Sequence, residues 1–130
     1  MNRRIMIVES HDGFRQLIGT FLSRAFEVVG AQNGLEAMRC LNGGYMPDVI
    51  VMDTHNPDFD GVNLLANLRC SGLFGNIPVV IMSGNDEAGD EQQIKGLGAS
   101  DYFRKPFNPV LLQERLLQLM APASFVHLSN

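Results

Sequence analysis

Short apolar runs alternate with longer amphipathic stretches along this chain of 130 residues. Ile5-Met6-Ile7-Val8, Val49-Ile50-Val51-Met52 and Pro78-Val79-Val80-Ile81-Met82 are continuous rather than alternating in hydrophobicity, the pattern of strands buried on both faces. Asp101-Tyr102-Phe103-Arg104 and the weaker Glu27-Val28-Val29-Gly30-Ala31 bring the candidate strands to five. Between the runs, apolar residues recur at helical spacing. Phe14, Leu17, Ile18, Phe21 and Leu22 stripe a first helix, and Leu35, Ala37, Met38 and Leu41 a second. Val62, Leu64, Leu65 and Leu68 stripe a third, from about Gly61 to Arg69. The second is punctuated by Asn33 as cap, by Glu36 reaching back as in a capping box, and by Gly43-Gly44 at its end. A last helix opens at Asn108-Pro109, cap then first-turn proline, and continues through Val110, Leu111, Leu112, Leu116, Leu117 and Leu119. The fourth, Asp86 to Gly98, is acidic early, rich in glycine and poor in apolar residues beyond Ala88, Ile94 and Leu97; it is expected to be mobile.

This rhythm predicts βα units around a parallel sheet, a doubly wound α/β domain whose ligands bind at the carboxyl ends of the strands. One domain is expected over 1–120, with 121–130 as a frayed end or the start of a linker. The length suffices for one hydrophobic core without a disulfide or structural metal. Net charge of -4 and a pI near 5.2 argue against direct nucleic-acid binding. Cys40 and Cys70 lack metal or redox spacing and read as reduced thiols of a cytoplasmic protein. The apolar run behind Met1-Asn2-Arg3-Arg4 ends at Val8, too short for a signal peptide or membrane span. Met38, Met46, Met52 and Met82 read as gap-filling core.

Four polar residues follow strands: Glu9 the first, Asp53 the third, Ser83 the fourth and Lys105 the fifth. Any one of them could simply end a strand; together they converge on one sheet edge. A carboxylate can accept a phosphoryl group when a cation screens its charge and donors meet the phosphate oxygens. Asp53 is the candidate nucleophile, Glu9 and Asp53 the candidate Mg²⁺ ligands. Lys105 brings an ammonium to the developing charge, and Ser83 a hydroxyl donor.

From Ile5 to about Met120 the chain resembles response-regulator receiver domains. The resemblance rests on Ile5-Met6-Ile7-Val8-Glu9, Asn33-Gly34-Leu35-Glu36-Ala37 and Pro47-Asp48-Val49-Ile50-Val51-Met52-Asp53. It continues through Asn56-Pro57-Asp58-Phe59-Asp60-Gly61, Ile77-Pro78-Val79-Val80-Ile81-Met82-Ser83-Gly84 and Gly98-Ala99-Ser100-Asp101-Tyr102-Phe103-Arg104-Lys105-Pro106-Phe107. It implies a flavodoxin-like sheet of order 2-1-3-4-5 with five helices, an order that this general fold class itself carries. It implies phosphorylation of Asp53 by a histidine kinase or phosphotransfer protein, followed by a change in the face presented to an output domain or partner protein. Ser83 and Tyr102 match the family's switch positions, although Tyr102 equally suits ordinary strand packing. Lys105-Pro106 matches the family's cis peptide. A homodimer across the face of the last two βα units is compatible with the resemblance. The expected role is signalling, with enzymatic activity limited to Mg²⁺-assisted self-phosphorylation and self-dephosphorylation.

The pattern departs at Glu9-Ser10, where family members usually carry two adjacent acids; Ser10 removes a metal ligand and should weaken Mg²⁺ binding. Glu9, longer by a methylene than aspartate, and Asp12, through water, are the candidate compensations. His55 matches the position whose backbone carbonyl coordinates the metal, a role independent of side-chain type; its imidazole reads as a loop residue. Gly84 leaves access to the acceptor open. Two readings follow: a phosphorylatable receiver with altered metal dependence, favoured because acceptor, hydroxyl and lysine remain, and a degenerate receiver that signals by binding alone. A phosphatase of the haloacid-dehalogenase type would want a second Asp at position 55 and a cap domain. A flavin phosphate would be repelled by the acidic loop Glu9-Ser10-His11-Asp12-Gly13.

Overall fold

The computed structural model describes residues 3–56, 59–84 and 90–120. The elements alternate: β1 (Arg4–Val8), α1 (Asp12–Leu22), β2 (Glu27–Ala31), α2 (Gly34–Asn42), β3 (Val49–Asp53), α3 (Gly61–Cys70), β4 (Val79–Ser83), α4 (Asp90–Gly96), β5 (Asp101–Arg104) and α5 (Pro109–Leu119). Between β3 and α3, His55–Asn56 pairs antiparallel with Phe59–Asp60. The five strands form a parallel sheet in the order β2-β1-β3-β4-β5, the flavodoxin-like order expected.

Successive side chains of a strand point to opposite faces, and the core divides accordingly. Met6, Val8, Ile50, Met52, Val79 and Ile81 pack in a cluster with Ala37 and Leu41 of α2, Leu64, Leu65 and Leu68 of α3, and Ile94 of α4. Ile5, Ile7, Val49, Val51, Val80 and Met82 pack in a second cluster with Ile18 and Leu22 of α1 and Leu112 and Leu116 of α5. Helices cover both faces, which is why the central strands are apolar without a break over Ile5–Val8, Val49–Met52 and Val79–Met82.

Several apolar residues expected inside are exposed: Leu17 (66%) and Leu35 (61%) of the first two stripes, Val110 and Leu111 at the start of α5, and Met46, read as core but 41% exposed in the loop before β3. At 3.6 residues per turn, Leu17 falls roughly 120° from the midpoint between Ile18 and Leu22, and Leu35 roughly 160° from Ala37. Hydrophobicity alone widened both stripes beyond the faces that meet the sheet. The α3–β4 connection contributes buried Phe74 and Ile77, neither of them periodic with a helix. Arg69 holds this loop: its Nη1 donates to the carbonyls of Ile77 (2.8 Å) and Gly75 (3.3 Å), its Nε to that of Gly98 (2.9 Å). Desolvation lowers its pKa from the usual guanidinium value.

Helix ends follow the sequence punctuation. Asn33 and Asn108 accept from the backbone N–H groups of Glu36 and Val110. Past α2, Gly44 N–H bonds Leu41 and Tyr45 N–H bonds Cys40, with Gly44 at φ +104, a Schellman end. Gly98, at φ +108, ends α4 in the same way. The expectation of mobility for Asp86–Gly98 falls partly on residues 85–89, outside the described residues. From Asp90 to Gly96 the segment is helical. The tail 121–130 also lies outside.

Candidate functional site

Glu9 and Asp53 stand on one sheet face because each continues the parity of the strand residues that point toward α1 and α5: Ile5 and Ile7 precede Glu9, Val49 and Val51 precede Asp53. Both are buried, Glu9 to 1% exposure and Asp53 to 8%. Lys105, two residues beyond half-buried Phe103 of the same cluster, meets them there. Its Nζ lies 2.8 Å from Glu9 Oε1 and 3.2 Å from Asp53 Oδ2. Among the described residues this one ammonium serves two buried carboxylates, an excess of one negative charge when both are ionised. The Lys105–Pro106 peptide bond is cis, and the Lys105 N–H donates to the Ser83 carbonyl at 2.8 Å. Ser83, 2% exposed, ends β4 beside β3, the strand that ends in Asp53.

The β1–α1 loop is tied to this edge. The His11 N–H donates to Glu9 Oε2 (3.1 Å), and His11 Nδ1 accepts from the Phe14 N–H (3.0 Å), capping α1. Arg15 Nη1 donates to the Glu9 carbonyl (2.7 Å) and its Nη2 to Asp12 Oδ1 (2.6 Å). The Arg15 stem crosses Gly30 of β2, where an added Cβ would meet Arg15 Cδ at 3.2 Å. Sequence reasoning missed His11 and Arg15. Histidine is a rare cap, and only the i,i+3 pair Asp12–Arg15 was a legible signal. Asp12 is exposed and pairs with Arg15, whereas Glu9 reaches inward to Lys105.

Phe14 was counted only as core. Its ring centroid lies 4.3 Å from Lys105 Nζ. Edge-to-face contacts link Phe14 to Phe107 (6.1 Å) and Phe107 to Phe103 (5.6 Å). Tyr102, three residues before Lys105, is buried in the opposite cluster, the one containing Ile94 of α4, and so apart from the carboxylate pair. Ser10 lies in the loop beside Glu9, and the His55 backbone in the short antiparallel pair after Asp53. At Gly84 an added Cβ would make ordinary contact with Lys105 Cδ at 3.6 Å. Among the described residues no group of three or more His, Cys, Asp or Glu side chains gathers for a metal. Two buried carboxylates with excess negative charge still fit Mg²⁺, which binds through one or two carboxylates and keeps several waters.

A parallel sheet of this order, with two carboxylates and a lysine at its carboxyl edge, defines a flavodoxin-like α/β domain with a charged cluster where such folds bind their ligands. The chain belongs to the response regulator receiver domain family, whose model matches residues 5–117. It is similar to the phosphate regulon transcriptional regulatory protein PhoB of Escherichia coli (strain K12), 32% identical over 123 residues, 92% of this chain and 52% of PhoB. It is also similar to the chemotaxis protein CheY1 of Helicobacter pylori, 29% identical over 117 residues, 87% of this chain and 93% of CheY1. Among solved structures it matches the receiver domain of the Francisella response regulator 1452 with a TM-score of 0.84 and 30% identity, covering 92% of this chain and 97% of that one. The chain spans about half the length of PhoB and less of some other curated relatives. Receiver domains serve phosphorylation-dependent signalling in two-component systems; they are generally not enzymes and generally bind Mg²⁺.

Proposed function

We propose that this domain, residues 1–120, is a phosphorylation-dependent switch whose acceptor is Asp53. The observation that carries the reading is the single Lys105 ammonium held 2.8 Å from Glu9 and 3.2 Å from Asp53 at a buried sheet edge. An Asp53 carboxylate oxygen attacks the phosphorus of a phosphohistidine on a histidine kinase or phosphotransfer protein. The P–O bond forms as the P–N bond breaks, and the departing imidazole takes the electron pair and then a proton. Lys105 exchanges part of its carboxylate pairing for the new phosphoryl oxygens, and the Ser83 hydroxyl donates to another. Glu9, Asp53 and the His55 backbone carbonyl would hold Mg²⁺, which when bound supplies charge neutralisation. Ser10 contributes no charge, so affinity is lower than an acidic pair would provide.

Output passes through the α4–β5–α5 face. Tyr102 lies buried beneath it, and its surface carries Lys95–Glu91 (3.2 Å) and Arg115–Asp101 (2.7 Å) ion pairs. That face is proposed to meet an output domain, a partner protein or a second copy of the chain. A cytoplasmic setting is proposed with it; no helix among the described residues is long and apolar enough to cross a membrane. The test is intact mass after treatment with a small phosphodonor, with Mg²⁺ and with chelator, beside Asp53→Asn. One added phosphate that requires Mg²⁺ and is lost in the variant is the expected result. No incorporation at high Mg²⁺ with a cognate kinase present would leave a phosphate-independent interaction module.

A further inference from the structure

Among the described residues the Lys105 ammonium meets two carboxylates from the sheet and, from α1, the face of the Phe14 ring with its centroid 4.3 Å away. A cation this close to an aromatic face is attracted by the ring quadrupole, most strongly where water is displaced. The ring is itself braced. Phe107, just past the cis Lys105–Pro106 bond, meets Phe14 edge to face, and Phe103 of β5 meets Phe107. At the other end, Phe14 N–H is the donor that His11 Nδ1 accepts to cap α1. The ring therefore stands on the first turn of a capped helix, between the loop that bears Glu9 and the segment that bears Lys105.

We infer that Phe14 is a positioning residue: its aromatic face fixes the Lys105 ammonium between Glu9 and Asp53, where an aliphatic side chain of similar size would only fill space. A lysine stem is long and flexible, and two carboxylate partners on one side leave its head free to swing outward. A π face on the other side removes that freedom without adding a hydrogen bond that the lysine would have to break when it turns to a phosphoryl oxygen. The consequence for phosphorylation rests on Asp53 being the acceptor; the geometry does not.

The test replaces Phe14 with leucine, with tyrosine, and with phenylalanines carrying one, two or three ring fluorines, which weaken the quadrupole at nearly constant shape. Thermal unfolding of each variant first establishes that it folds. The readout independent of phosphorylation is the Lys105 ε-methylene NMR signal, assigned by comparison with Lys105→Arg. It should be shifted upfield by the ring in the unmodified protein, lose that shift in Phe14→Leu and keep it in Phe14→Tyr. Initial rates with a small phosphodonor should fall roughly 3- to 10-fold in Phe14→Leu, recover in Phe14→Tyr and decline stepwise with fluorine number. An ordinary lysine shift in the unmodified protein overturns the proposal, as does a flat rate across the fluorinated series. If the unmodified protein takes no phosphate, the acceptor reading falls by itself, and the NMR shift alone upholds or overturns the role of Phe14.

Discussion

Tyr45 shows how one side chain records its surroundings. Its hydroxyl is buried with no hydrogen-bond partner among the described residues, and the Arg4 guanidinium lies 5.9 Å from its ring centroid. Desolvation raises its pKa above the usual phenol value, with Glu27 adding to the rise and Arg4 opposing it. The folded state therefore favours the neutral phenol. That preference contributes stability in full below the unfolded pKa of about 10, and loses it as pH rises through the higher folded value. Urea midpoints at pH 8 and near pH 11 should fall further in the unmodified protein than in Tyr45→Phe. At pH 8 the variant should lie within about 1 kcal/mol of the parent, because the deleted hydroxyl made no bond. Equal alkaline losses in both would show that other groups control the high-pH limb. No sequence pattern announced this residue, since its environment comes from the strand starts at Arg4, Glu27 and Asp48 that the sheet brings together. Glu9, Asp53, Ser83 and Lys105 were legible for the opposite reason: each directly follows or ends a candidate strand, and a parallel sheet gathers such positions at one edge. Phe14 and Arg15 were not, because their roles depend on which turn of α1 faces the loop before it.

Helices and strands were legible where local pattern and tertiary need agreed. The apolar runs became strands because both their faces found helices, and the Asn33 and Asn108 caps formed as spaced. The stripes failed at Leu17 and Leu35, where apolar character exceeded what the sheet could cover. Two glycines that end helices separate conformation from packing. Gly44 and Gly98 share a left-handed backbone, but an added Cβ meets nothing within 4 Å at Gly44 and sits 2.8 Å from Arg69 Nε at Gly98. Gly44→Ala should therefore cost only the conformational strain, about 1 kcal/mol. Gly98→Ala should cost about 2 to 4 kcal/mol, because Arg69 must also give up some of its bonds to the Gly98, Gly75 and Ile77 carbonyls. Urea unfolding of both, repeated in an Arg69→Ala background that removes the Cγ, Cδ and Nε atoms an added Cβ at Gly98 would meet, checks the reasoning: there the two glycine substitutions should cost about the same. A persistent excess at Gly98 would place the cost elsewhere than the guanidinium.

The molecule as a whole sets its stability against its site. Two apolar clusters sandwich the sheet, while the edge they support buries two carboxylates against one ammonium. Burying like charges together is unfavourable unless a cation or proton intervenes, so the site proposed for phosphoryl transfer should also be where the fold is least at ease. Asp53→Asn leaves Glu9 and Lys105 as a balanced pair. In chelator it should unfold at higher temperature than the parent, by a margin near 1 kcal/mol, or roughly 3 to 6 °C for a domain of this length. Mg²⁺ should stabilise the parent in proportion to the logarithm of its concentration once above the dissociation constant, by about 2.7 kcal/mol at a hundredfold excess, and the variant much less. Because Ser10 supplies no carboxylate, the midpoint of that rise should move to lower Mg²⁺ when Ser10→Asp is introduced. Calorimetric scans of the three proteins across a Mg²⁺ series decide the matter. If parent and Asp53→Asn respond to Mg²⁺ alike, the ion is binding away from the sheet edge, and Lys105 alone must balance the pair.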